Sequence, residues 1–191
     1  MSLVIGLHGA KGSGKDQFYK ATKEAFPYLD VRKIAYADPI KNEINRIFGL
    51  NSEQEYDWFK RASVNFDLTD LASHHVEGRR IVREIGMLMR SYDSHQFVDY
   101  VEREIFKAPQ AIWCVTDVRF DNEIKSIKNK LSGIMIKIRR DGYHFDGHAT
   151  ETEIPDDACN TVIHNENITL EQFNERVSTT VKNILQTFAI I

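Results

Sequence analysis

The residues most able to do chemistry lie near the start of the chain. Gly9-x-x-x-x-Gly14-Lys15 follows an apolar run at 3–8 and opens a helical pattern. Glycines let a backbone curl until several N–H groups converge on one anion, and a helix beginning there adds positive potential. Lys15 supplies a cation for the outer phosphates of a nucleotide. This is the Walker A spacing in the context it requires, a strand before and a helix after. Gly12, Ser13, Gly14 and Lys15 are therefore candidate ligands of a nucleoside triphosphate. Asp16 stands where that motif usually carries Ser or Thr on Mg²⁺. A carboxylate there can hold Mg²⁺, directly or through water. It can equally be an acid placed for the helix dipole. Lys11 is a second loop cation that could face transferred phosphate.

A second carboxylate, Asp117, ends the apolar run 111–116. In a parallel sheet the ends of strands gather beside such a loop, so Asp117 is a second candidate for Mg²⁺. Arg119 follows, and Asn122 and Glu123 open a helix from which they could bond a sugar or base. Between 79 and 90, Ile81, Val82, Ile85, Leu88 and Met89 fall on one helical face, and Arg79, Arg80, Arg83 and Arg90 on the other. A solvated basic face accounts for any one of these arginines; four in a chain of net charge -3 point to an anion. Arg139 and Arg140 close another apolar run and begin a glycine-containing loop. A lid there would exclude water during phosphoryl transfer, with Arg140 offsetting charge.

The elements that must position these groups alternate. Apolar runs at 3–8, 31–36, 111–116, 134–139 and 161–164 read as buried strands. Helical patterns intervene after Lys15, from Asp38 as N-cap with Pro39 in the first turn, and from Thr169. Thr169 and Gln172 make a capping box, and Leu170, Phe173, Val177, Val181, Ile184, Leu185 and Phe188 form one helical stripe. This alternation predicts an α/β fold with a parallel sheet. The 191 residues read as a single domain, with a mostly helical insertion at about 38–107 and a lid at about 139–151.

Composition narrows the classes. A net charge of -3 disfavours broad nucleic-acid binding. Two cysteines, Cys114 and Cys159, are too few for a disulfide framework, and Cys114 reads as a reduced core thiol. No apolar stretch approaches the roughly 20 residues of a membrane span, and the start lacks the basic flank of a signal peptide. A cytoplasmic protein is expected. His144 and His148 are flanked by Gly142 and Gly147 and lack a third ligand, so a zinc site is set aside. Asn129-Lys130 is not followed by the aspartate of a guanine-reading loop. Tyr56, Trp58 and Phe59 read as insertion core rather than a base-stacking surface.

Taken together, the loop ending Lys15-Asp16, the segment Ala37-Asp38-Pro39-Ile40-Lys41, the run from Thr116 through Glu123, the stretch His148 to Glu153 and the C-terminal Val162-Ile163-His164-Asn165 resemble bacteriophage-type deoxynucleoside monophosphate kinases. The likeness spans nearly the whole chain and is weakest at about 51–76. It implies a P-loop NTPase fold with three layers, helices on both faces of a parallel sheet, a helical NMP-binding insertion and a lid loop. It also implies ATP and Mg²⁺ as co-substrate and cofactor. By position, the resemblance assigns Gly12, Ser13, Gly14, Lys15 and Asp16 to ATP and its metal, Arg140 to the lid and Asn165 to the adenine. It assigns Lys11, Asp38, Lys41, Arg80, Gly86, Asp117, Arg119, Glu123, Thr150 and Glu151 to the acceptor. Phe97 stands where the family places a tryptophan against the acceptor base. Catalysis would fall to Lys15, Lys11 and Arg140. The partner would be a small nucleotide, without nucleic acid or membrane; a homodimer is left open. Animal-type phosphomevalonate kinases share parts of the pattern and form the first alternative. A nucleotide-binding module without turnover is the second, kept open by Asp16.

Overall fold

The computed structural model describes residues 2–66, 74–145 and 153–191. The chain divides into two compact units, one of residues 1–36 and 98–191, the other Ala37–Phe97. The first carries a parallel sheet of five strands in the order β2-β5-β1-β6-β7. These are β1 (Leu3–His8), β2 (Val31–Ile34), β5 (Ile112–Val115), β6 (Ile134–Arg139) and β7 (Thr161–His164). All of them lie within the apolar runs predicted as strands.

Every residue of β1 is buried, as expected of a strand covered on both faces. On one face Leu3, Ile5, Leu7, Ile136 and Ile138 pack against Phe18 and Ala21 of α1 (Lys15–Ala25) and against Phe173, Val177, Val181 and Leu185 of α7 (Leu170–Thr187). On the other face Gly6 lies close to Met135, Val118 and Ile127. Ile127 belongs to a π-helical turn, Ser126–Lys130, that continues α6 (Asp121–Lys125). The Thr169–Gln172 capping box forms: Gln172 N donates to Thr169 Oγ1 at 3.3 Å, and Thr169 N donates to Gln172 Oε1 at 2.9 Å. The predicted α7 stripe is correct in its middle, but Leu170 and Phe188 at its ends are exposed.

The second unit carries α2 (Asp38–Phe48), α3 (Glu53–Arg61), β3 (Ser63–Phe66), β4 (His74–Glu77) and α4 (Gly78–Tyr92). It closes at Phe97, whereas α5 (Gln96–Lys107) runs on into the first unit. The antiparallel ladder β3-β4 was not foreseen in a segment read as mostly helical. Asp38 falls inside the first turn of α2, one residue past the N-cap Ala37. Tyr56 and Phe59 are core, as predicted, while Trp58 is exposed. The two faces drawn for α4 need correction. Leu88 is exposed and Arg83 and Arg90 are half-buried, while Gly86 is the buried residue at mid-helix. Arg90 owes its burial to an aromatic partner, lying 4.6 Å over the Phe97 ring.

Candidate phosphate site

The glycine loop leaves the C-terminal end of β1 and enters α1, so the first-turn N–H groups of that helix point into the loop without intrahelical partners. All three of its glycines, Gly9, Gly12 and Gly14, have a positive φ that disfavours any side chain. Gly14 has φ +118°, and a methyl there would come within 2.9 Å of Asn165 Nδ2 and 3.1 Å of Phe173. Gly12 has φ +80°, and a methyl there would run into the Tyr143 ring. Lys15 curls back over the loop, donating to the carbonyls of Gly9 at 2.6 Å and Ala10 at 2.8 Å. Ser13 Oγ is buried with no hydrogen-bond partner among the described residues. A buried hydroxyl left without a partner is a costly arrangement unless a polar ligand completes it.

Asp117 follows β5. Its Oδ1 accepts from Tyr36 N at 2.7 Å, extending the link between β2 and β5 beyond the last ladder pair. A small cavity beside the loop is lined by His8, Gly9, Lys11, Lys15, Asp117, Val118, Arg119 and Phe145. It brings together three of the cations and one of the carboxylates singled out from sequence. Asp16 lies in the first turn of α1, largely exposed, with Lys33 Nζ 3.3 Å from its Oδ1. An acid in the first turn meets the positive end of the helix dipole.

Other predicted residues take up different posts. Arg140 donates to the carbonyl of Gly12 at 3.0 Å and stacks 4.5 Å over Tyr143, so the segment after β6 is fastened to the loop. Asn165 donates from Nδ2 to the carbonyl of Ser13 at 2.9 Å, which makes it a brace for the loop. Glu123 is fully buried, and its Oε2 accepts from Arg119 N at 2.7 Å and Phe120 N at 3.1 Å. It caps α6 and holds the Arg119 backbone. In the second unit, Lys41 pairs with Glu53 at 3.3 Å and Arg80 with Glu84 at 2.6 Å. Asp38 is half-buried, Gly86 faces Ile40, and Phe97 is buried. Thr150 and Glu151 lie outside the described residues.

Sequence reasoning passed over two buried polar groups at the strand ends. His8 and Lys137 are partners in the β1-β6 register. His8 Nδ1 donates to the carbonyl of Val118 at 2.9 Å, and its Nε2 accepts from Ile154 N at 3.1 Å. Burial drives its pKa down to about 4, so the ring is neutral. Lys137 Nζ donates to Glu153 at 2.7 Å, Asp156 at 2.8 Å and the carbonyl of Ile154 at 2.6 Å. Hydrogen bonds from Lys137 hold both carboxyls below their usual range. A His and a Lys at the inward-facing ends of otherwise apolar strands were the available signal. Cys114 is buried, its thiol pushed up to about 12 by burial, as expected of an inert core thiol.

Among the described residues no three His, Cys, Asp or Glu gather as a preformed metal cage, and no helix is long and apolar enough to cross a membrane. Mg²⁺ in nucleotide sites takes only one or two carboxylates beside phosphate and water oxygens.

No family model matches the chain. A protein of Acanthamoeba polyphaga mimivirus, provisionally named a deoxynucleotide monophosphate kinase, is 29% identical over 199 residues, covering 96% of this chain and 98% of that protein. Among solved structures, dephospho-CoA kinase from Campylobacter jejuni superposes with a TM-score of 0.52 over 98% of this chain and 99% of that one, at 14% identity. That likeness shows that this chain shares the fold of dephospho-CoA kinase.

Proposed function

We propose that this chain is a kinase that moves the γ-phosphoryl group of ATP onto a deoxynucleoside monophosphate, giving ADP and the deoxynucleoside diphosphate. The observation that carries the reading is the phosphate loop itself. A strand-loop-helix cradle contains Lys15 and a Ser13 hydroxyl without a partner among the described residues, and beside it lies a cavity lined by Lys11, Arg119 and Asp117. End-to-end similarity to the mimiviral protein supports a nucleotide acceptor over phosphomevalonate.

The chemistry asks little covalent work of the protein. A monophosphate is already a nucleophile, so no strong base is required, and positioning with charge neutralisation supplies most of the acceleration. Loop N–H groups and the α1 terminus hold the donor phosphates. Lys15 can exchange its two carbonyl partners for phosphate oxygens. Lys11, Arg119 and Arg140 offset charge on the transferring group. Asp16 and Asp117 are the carboxylates that would hold Mg²⁺, which when bound neutralises phosphate oxygens. On the second unit, Lys41, Arg80 and Phe97 are the acceptor-side candidates.

The test is ADP release with ATP, Mg²⁺ and a panel of deoxynucleoside monophosphates, ribonucleoside monophosphates and phosphomevalonate. Turnover with deoxynucleotides is expected. Turnover with phosphomevalonate alone, or with no acceptor, overturns the reading. In the same assay Lys15→Ala should lose about 10²- to 10³-fold in kcat, the scale of removing one preorganised charge stabiliser.

A further inference from the structure

We infer that His8 is a positioning residue for the transfer reaction, locking the peptide between Asp117 and Arg119 to the end of β1; this rests on the kinase reading above. Four observations converge on the ring. It is the last residue of β1, immediately before the glycine loop, and is almost wholly buried. Its Nδ1–H holds the carbonyl of Val118, the residue between Asp117 and Arg119. Its Nε2 holds the N–H of Ile154, in the segment that Lys137 anchors. Its face stacks on Phe145 with centroids 5.1 Å apart and planes within 10°. One imidazole therefore joins β1, the segment after β5, and two stretches that follow β6. Both it and Phe145 line the cavity that holds Lys11, Lys15, Asp117 and Arg119.

The two ring nitrogens do separable jobs. The Val118 bond fixes the backbone that carries a carboxylate and a cation of the site. The Ile154 bond fixes the return of the chain to the sheet. An asparagine amide reaches only as far as Nδ1, whereas a glutamine amide reaches Nε2. His8→Asn should thus keep the donor to Val118 and abandon Ile154; His8→Gln should do the opposite.

The experiment compares both variants by steady-state kinetics and by amide exchange. We expect His8→Gln to lose about tenfold in kcat, with the acceptor KM within about twofold, because sub-ångström displacement of site groups costs rate rather than binding. His8→Asn, which keeps the donor to Val118, should lose less kcat than His8→Gln. Exchange should accelerate at the Arg119 amide in His8→Gln alone and at the Ile154 amide in His8→Asn alone. If both variants lose kcat equally and in step with thermal stability, His8 is only a core residue and the inference fails. If His8→Gln retains full kcat, it fails likewise. If the parent protein turns over no acceptor, the kinase reading fails; the two exchange signatures then still decide whether His8 holds these peptides.

Discussion

Ser13 shows how a single atom can be unfavourable for the folded chain and favourable for its ligand. Its hydroxyl is buried in the phosphate loop without a partner among the described residues. An unsatisfied buried polar atom costs about 1–3 kcal/mol, and replacing it by an apolar group can be neutral or stabilising. Ser13→Ala should therefore leave the thermal midpoint unchanged or raised. If the hydroxyl meets nucleotide, the same variant should show a smaller ADP-induced rise in that midpoint. A lowered midpoint with an undiminished ADP response would contradict both halves. At this scale the sequence was most legible where a motif fixes backbone geometry, as at Gly12, Gly14 and Lys15. It was least legible for side chains whose partners lie far along the chain. Asn165 reaching Ser13, Glu123 reaching Arg119 and His8 reaching Val118 are contacts that no local pattern announces.

Secondary-structure elements were readable in proportion to their burial. β1 and β5 are short apolar runs buried throughout, and α7 declares itself by a capping box and a stripe of period near 3.6. Leu185 lies fully buried within that stripe, against β-strand residues and α1. Leu185→Ala should cost about 2–5 kcal/mol, the usual range for removing a packed leucine from a core that relaxes only partly. Urea unfolding would measure it, and a loss under about 1 kcal/mol would mean the α7 face is misplaced. The second unit was harder to read. Its β3-β4 ladder is short, and the face of α4 depends on Arg90 finding an aromatic ring rather than on hydrophobicity. A long basic side chain can bury its stem and stack its head, which periodicity alone scores as exposed.

For the whole molecule, the buried polar cluster predicts how stability responds to acid. His8 has a folded pKa lowered from 6.5 to about 4, chiefly by burial, with Lys137, Lys15 and Arg119 acting in the same sense. Below 6.5 the unfolded chain takes up a proton that the folded chain refuses. Stability should then fall by about 1.4 kcal/mol per pH unit from this group as pH drops toward 4. Glu153 and Asp156 act in the same direction lower down. Their pKa values are depressed by Lys137, so their contribution is complete above about 4.5 and 3.8 and is lost as pH falls through the folded values. Urea midpoints across this window should decline in the parent and decline less in His8→Gln. A parent curve that is flat between 6.5 and 4 would show that the ring titrates normally.

The order of the strands has a further consequence, for the time at which the chain can fold. β1 is the central strand, yet Leu3 pairs with Ile112 and Ile5 with Ile134. Val31 likewise pairs with Ile112, leaving only β6 and β7 as near neighbours in the chain. During synthesis, β1 and the glycine loop must wait, unpaired on both edges, until β5 and β6 have left the ribosome. Sheets closed by such distant pairings form slowly. A nascent chain stalled before β5 emerges should therefore be digested by protease along the whole glycine loop, and one stalled after β7 emerges should resist.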